Sequence, residues 1–198
     1  MEKRNYVRIP HDRVGVLIGP EGRVKSRIEK TFNVTLVIDG ESGNVEVILN
    51  PDHGDISIIF TVANIVKAIG RGFSPNRAMM LGNEDYDFAI IDLEEHVGSS
   101  RNAQERVKGR IIGKEGKSRS LIEELTETQM SVYGSTVALI GKAESLHAAM
   151  EAVMMLIRGK FHKTVYNYLF AYRRQLKRDR GVIWYDQPPP ASERKGTT

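Results

Sequence analysis

The chain has 198 residues, 40% of them hydrophobic, and a formal net charge of +4. It contains no cysteine, which excludes disulfides, thiolate metal sites and cysteine nucleophiles together. The sequence has no apolar run near the roughly eighteen residues of a membrane span and opens without a signal-like apolar stretch, so a cytoplasmic protein with no membrane attachment is expected.

The average charge hides an asymmetry. Residues 1–100 hold 11 Lys and Arg against 15 Asp and Glu, whereas residues 101–198 hold 18 against 10. A positive second half is the electrostatic footprint of a polyanionic partner, although a solvated charged face explains any single cluster. His11, His53, His96, His147 and His162 are scattered without ligand spacing. No metal or other cofactor is expected.

In chain order, Tyr6-Val7-Arg8-Ile9 predicts a short strand closed by Pro10, followed by helices over 11–18 and 22–31. Strands are expected over 34–38 and 45–49, separated by the polar turn Asp39 to Asn44, and Ile58, Val62, Ile65 and Ile69 predict a helix over 55–69. Ser74-Pro75 is a helix start, serine as N-cap and proline at the first helical position, and opens a linking helix that ends at Gly82. A strand over 85–93 then opens a second unit. Glu94 to Ala103 is a polar insertion, expected as a surface loop or a helix extension. Beyond it come a helix near 117–126, strands near 130–133 and 137–140, and a helix over 143–157 whose stripe of Leu146, Met150, Val153, Met154 and Ile157 reads as core. A last helix over 162–180 sets Val165, Leu169, Tyr172 and Leu176 on one face, with Lys163, Arg173, Arg174, Lys177 and Arg178 outside it. That basic side is either solvated or in contact with phosphate. Residues 181–198, with Pro188-Pro189-Pro190, read as a disordered tail.

The chain repeats itself. Gly15-Val16-Leu17-Ile18-Gly19-Pro20-Glu21-Gly22 returns 94 positions later as Gly109-Arg110-Ile111-Ile112-Gly113-Lys114-Glu115-Gly116, and Ser26, Ile28 and Glu29 meet Ser120, Ile122 and Glu123 in the same register. Each copy reads helix, tight glycine-bounded turn, helix. Such a turn needs backbone free to take positive φ, and the amides and dipole of the following helix favour an anion there. A nucleotide-hydrolysing P-loop is excluded, because it needs a glycine five positions before Gly116 and position 111 is Ile.

These residues resemble the KH domain, whose signature is an apolar residue before a Gly-x-x-Gly loop between two helices. The resemblance implies an α+β fold of two tandem type I KH domains, each β-α-α-β-β-α with helices on one face of a three-stranded antiparallel sheet, plus a C-terminal basic helix. The divisions are residues 1–73, a linker over 74–84, a second domain over 85–180 with the insertion 94–103, and the tail. It further implies that the loops clamp single-stranded nucleic acid, through Gly19 and Gly22 in one copy and Gly113 and Gly116 in the other.

The copies differ where a polyanion would be felt. Gly113-Lys114-Glu115-Gly116 is flanked by Lys108, Arg110, Lys117 and Arg119, while the first copy has Val14, Val16, Arg23 and Lys25 at those places and Pro20 for Lys114. The second module is therefore expected to be the main binder, with Arg23 and Lys25 as lesser contacts. Glu21 and Glu115 disfavour a phosphate beside the loop tip. Ile112, Ile122 and residues 130–133 are the candidates for base selection, with plain core the more ordinary role for Ile122.

Arg71-Gly72-Phe73-Ser74-Pro75, the second loop and Lys163-Thr164-Val165-Tyr166 narrow the resemblance to the two-KH ribosome-assembly factors of the Dim/Pno/Krr type, the intact first loop being similar to the archaeal members. This implies binding to the 3′ end region of small-subunit rRNA, partnership with the Nob endonuclease that trims it, and contact with the initiation factor two alpha subunit. No enzymatic activity is expected. Two other readings stay open: a general mRNA regulator or exosome-type RNA-feeding subunit, and a protein-binding adaptor with vestigial loops.

Overall fold

The computed structural model describes residues 3–50 and 55–185. The first module runs β1 (Arg4–Arg8), α1 (His11–Ile18), α2 (Arg23–Phe32), β2 (Val34–Ile38), β3 (Asn44–Leu49) and α3 (Ser57–Gly70). A short helix α4 (Pro75–Ala78) and a 3-10 turn over 79–82 lead to the second module, which runs β4 (Tyr86–Asp92), α5 (Leu93–Val97), α6 (Arg101–Ile112), α7 (Lys117–Thr126), β5 (Gln129–Tyr133), β6 (Thr136–Lys142) and α8 (Ala143–Ile157). Helix α9 (His162–Tyr185) follows. Among the described residues there are two three-stranded antiparallel sheets, ordered β1-β3-β2 and β4-β6-β5. This is the α+β architecture expected from the sequence.

Strand alternation builds the first core. Val7, Val34, Leu36, Val45, Val47 and Leu49 turn to the helical side and meet Leu17, Ile28, Val62, Ile65 and Ile69. The first hairpin needs a long turn, in which the Asp39 carboxylate accepts from the amides of Glu41 and Ser42 and from the Ser42 hydroxyl. Those bonds, the Ser42 hydroxyl first, hold Asp39 below the usual carboxylate range. The second hairpin turns through Gly134 and Ser135 alone, and β6 runs straight into α8.

The insertion is a helix extension. Asp92 caps α5 by accepting from the Glu94 amide at 2.9 Å, Gly98 turns the chain at φ +75°, and α6 has 12 residues where α1 has 8. At the other end α9 continues to Tyr185. The first five residues of the expected disordered tail are thus helical, because Gly181 to Tyr185 continue α9 ahead of the first proline that would stop it, Pro188. Residues 186–198 lie outside the described residues.

The two modules share a core. Along β6 every residue from Thr136 to Gly141 is buried, because both faces of the second sheet are covered. Val137 and Leu139 point into the second core, while Ala138 and Ile140 belong to the first, joined there by Tyr86 and Phe88. Phe73 meets Phe88 edge to face at 6.5 Å between centroids. Gly72 lies so close to β5 that a Cβ would stand 2.6 Å from the Ser131 hydroxyl. The Tyr133 hydroxyl donates to the Asp12 carboxylate, and the Arg13 guanidinium sits 5.7 Å from the centre of the Tyr133 ring. Among the described residues the outer face of the first sheet has no such cover, leaving Tyr6 69% and Val37 50% exposed. No helix among the described residues is long and apolar enough to cross a membrane.

Candidate nucleic-acid interface

The two Gly-x-x-Gly loops are superimposable in backbone angles. Gly19 and Gly113 lie at φ +72° and +73°, Glu21 and Glu115 at +52° and +54°, and Gly22 and Gly116 at +73° and +77°. The first glycine of each pair is required twice over: its φ is positive, and a Cβ would strike the next helix, Val24 in one copy and the Ser118 Cβ at 2.7 Å in the other. The second glycine has open space around its Cα, so only its φ demands glycine. Each turn is closed by the amide of the second glycine donating to the carbonyl of the first at 3.2 Å. Beneath the second loop the Ser118 hydroxyl is fully buried with no hydrogen-bond partner among the described residues.

Around this shared frame the charges differ. Lys114 and Lys117 are exposed and have no hydrogen-bond or ion-pair partner among the described residues. In the first loop the matching places are Pro20 and Arg23, and the Arg23 guanidinium is turned onto the Glu21 carboxylate at 2.5 Å. Lys25 and Arg119, matched in register, each form an i,i+4 ion pair, with Glu29 at 3.9 Å and Glu123 at 3.4 Å. Those glutamates serve a second purpose. Glu29 accepts the Leu36 amide at 2.9 Å and Glu123 the Met130 amide at 2.7 Å, so each helix is tied to its edge strand through the same pair of positions.

Two of the cations singled out from sequence have internal work. Arg110 donates to the carbonyls of Leu156 and Lys160, holding the end of α8. Lys108 bonds Glu105 at 2.7 Å and the Gly134 carbonyl at 3.1 Å, a strut from α6 to the β5–β6 turn. The Lys108 ammonium keeps Glu105 below the usual carboxylate range. Of the apolar candidates, Ile122 and Met130 are fully buried core residues, whereas Ile112 is 37% exposed beside the loop. Ser131 faces the first module, and Val132 and Tyr133 are half-buried.

The groove along β5 is walled by both modules. Arg119 and residues 130–133 form one side, and Arg13, Ser74 and Arg77 the other, around a cavity of about 530 Å³. Arg13 is fixed by donating to the carbonyls of Ile69 and Phe73, each at 2.8 Å, while the Arg77 side chain is exposed. Sequence reading did not single out Arg77 for the site. A linker helix with an arginine carries no local sign that it will face a strand some fifty residues on.

A family model described as the eukaryotic type KH domain, KH-domain type I, matches residues 87–174, and a KH domain model matches residues 5–71. The KH domain-containing protein MJ0443 of Methanocaldococcus jannaschii is 46% identical over 90% of this chain and 78% of its own length. The pre-rRNA-processing protein PNO1 of Chaetomium thermophilum is 33% identical over 58% of this chain, and the matched stretch is 45% of that longer protein. Among solved structures, Dim2p from Pyrococcus horikoshii superposes with a TM-score of 0.80 at 42% identity, covering 85% of this chain and 99% of that one. Dim2p from the same organism in a complex with a/eIF2alpha and rRNA gives a TM-score of 0.83 at 40% identity, over 88% and 96% of the two chains. Two matched modules in tandem, together with near-complete coverage of the Dim2p chains, settle the membership: the chain belongs to the KH-domain proteins of the Dim/Pno type.

Proposed function

We propose that this protein binds single-stranded rRNA, and that its second module is the clamp. The observation that carries the reading is the contrast between two loops of one geometry: the second presents unpaired Lys114 and Lys117, and the first presents Pro20 and an arginine already on Glu21. Phosphate contacts supply most of the affinity in such interfaces, so equal backbones with unequal cations bind unequally. The rRNA in the complex of the Pyrococcus relative supports the choice of RNA class. On this reading the strand is the 3′ end region of small-subunit rRNA, held extended so that a Nob-type endonuclease finds or is denied its cleavage point. The protein itself performs no chemistry.

The first module's role is a protein contact, favoured by the uncovered face of its sheet around Tyr6, Arg8, Val37 and Glu46. The Nob-type nuclease and the initiation factor two alpha subunit are the candidate occupants. The test is to rewrite each loop as Gly-Asp-Asp-Gly and measure binding of an unpaired oligoribonucleotide by fluorescence anisotropy. The second-loop variant, K114D/E115D, is expected to lose about tenfold or more in affinity, and the first-loop variant, P20D/E21D, less than about threefold. Equal losses would overturn the division of labour.

A further inference from the structure

The Gly113–Gly116 loop has a second cavity on its other flank. Arg106 and Arg110 of α6, Lys114 of the loop, Lys117 at the start of α7, and His162 and Tyr166 of α9 surround about 440 Å³, sharing no residue with the groove beside β5. A space of this size takes a nucleotide. Among the described residues four cations and no carboxylate line it, so its occupant is an anion. Arg106, Lys114 and Lys117 have no hydrogen-bond or ion-pair partner among the described residues. Arg110 is fixed in place by the Leu156 and Lys160 carbonyls.

The opposite wall is aromatic. His162 and Tyr166 are one turn apart on the same face of α9, with ring centroids 5.9 Å from each other. The Nε2 of His162 lies 2.9 Å from the Arg110 carbonyl oxygen, which sets the ring's orientation. Cations opposite two aromatic side chains match the two halves of a nucleotide, phosphate and base. In the first module α4 and α2 enclose about 150 Å³, and no aromatic residue lines that space among the described residues.

We propose that this cleft is an additional nucleotide subsite, in which a strand leaving the Gly113–Gly116 loop sets its next phosphate against Arg106 and Lys117 and stacks its base on Tyr166 and His162. The cleft shares Gly113 and Lys114 with the loop, so the occupant is a continuation of the clamped strand rather than a separate ligand. This inference rests on the reading of the loop as an RNA clamp.

The test uses the full chain and unpaired oligoribonucleotides of four nucleotides, and of seven extended at either end, with affinity read by anisotropy. For the unaltered protein, one of the two extensions tightens binding about tenfold, the order expected for one stacked base. H162A/Y166A loses that gain and keeps tetranucleotide affinity within about twofold, and Tyr166→Phe, which keeps the ring, retains the gain. Thermal melts accompany each variant; should the double alanine variant fail to fold, Arg106→Glu takes its place and is expected to lose the same gain. No gain on lengthening, or a gain that survives both H162A/Y166A and Arg106→Glu, overturns the subsite. K114D/E115D separates the two levels: full tetranucleotide binding by that variant defeats the clamp itself, whereas its loss beside an unaffected length gain in H162A/Y166A defeats the subsite alone.

Discussion

Glu115 sits in left-handed backbone at φ +54°, as Glu21 does at +52°, a conformation that costs a residue with a Cβ on the order of 1 kcal/mol or more. The residue also sets a carboxylate beside the place where phosphate is to be held. Replacing Glu115 with glycine relieves both effects, and we expect oligoribonucleotide affinity to rise several-fold while the melting temperature is unchanged or slightly higher; a fall in affinity would assign the carboxylate a positive role in recognition. The two glycines of the loop make a finer comparison. Gly116→Ala meets only an unfavourable φ and should cost about 1 kcal/mol, whereas Gly113→Ala also drives a Cβ to 2.7 Å from that of Ser118 and should cost at least twice as much in denaturant unfolding. The need for glycine at both ends of the turn was legible in the sequence, because a tight turn writes it into a few adjacent residues; the left-handed Glu115 and the closeness of Ser118 to Gly113 were not, since both depend on how the next helix sets off.

At the scale of elements, each module closes its helical layer with an arginine that the repeat does not align. Arg13 from α1 donates to the carbonyls of Ile69 and Phe73, and Arg110 from α6 to those of Leu156 and Lys160. The arginines stand one helical turn apart in the 94-residue register, and the carbonyls they hold are 87 positions apart, because the second module, with a shorter hairpin and no connection between its last strand and α8, is seven residues shorter in net over that stretch. Hydrogen bonds to a charged donor contribute roughly 1.5–3 kcal/mol each, so Arg110→Met should lower stability by about 2 kcal/mol or more and loosen the α8–α9 turn; Arg110→Lys, lacking the fork, should restore little. Amide exchange over residues 156–166 reads that loosening directly. Arg110 and Lys108 looked like phosphate contacts because a basic residue beside a Gly-rich loop carries no mark of an acceptor 26 to 50 residues away. Helix periods and strand alternation, by contrast, are local, which is why α8 was placed over Ala143–Ile157 from its apolar spacing alone.

For the whole molecule, the second sheet is the beam on which both modules rest. Gly72 is a close approach, with φ +93° and Ser131 and Tyr133 against it, so Gly72→Ala should separate the junction and lower the melting temperature by several degrees. The Tyr133 phenol is pushed above its ordinary value of 10.0, by burial first and by the Asp12 carboxylate second. A proton held more tightly in the folded state stabilises it fully below the unfolded phenol value and less as pH climbs through the folded one. Melting temperature should therefore fall more steeply above pH about 10 for the unaltered protein than for Tyr133→Phe, and parallel curves would remove Tyr133 from the junction's energetics. Because Arg77 of the linker faces the groove along β5, Arg77→Glu should weaken RNA binding several-fold although it lies outside both loops.

The central claim is that unpaired cations around residues 113–117 hold the phosphates of a single strand, and the salt dependence of affinity tests it most directly. With Lys114 and Lys117 on the clamped phosphates and Arg106 on the extension of a strand long enough to reach it, the logarithm of the association constant should fall against the logarithm of salt concentration with a slope of about −2. For K114A/K117A the slope should flatten to about −0.7 and low-salt affinity should drop steeply. An unchanged slope in that variant, or RNA binding by the unaltered protein that salt does not weaken, would contradict the account.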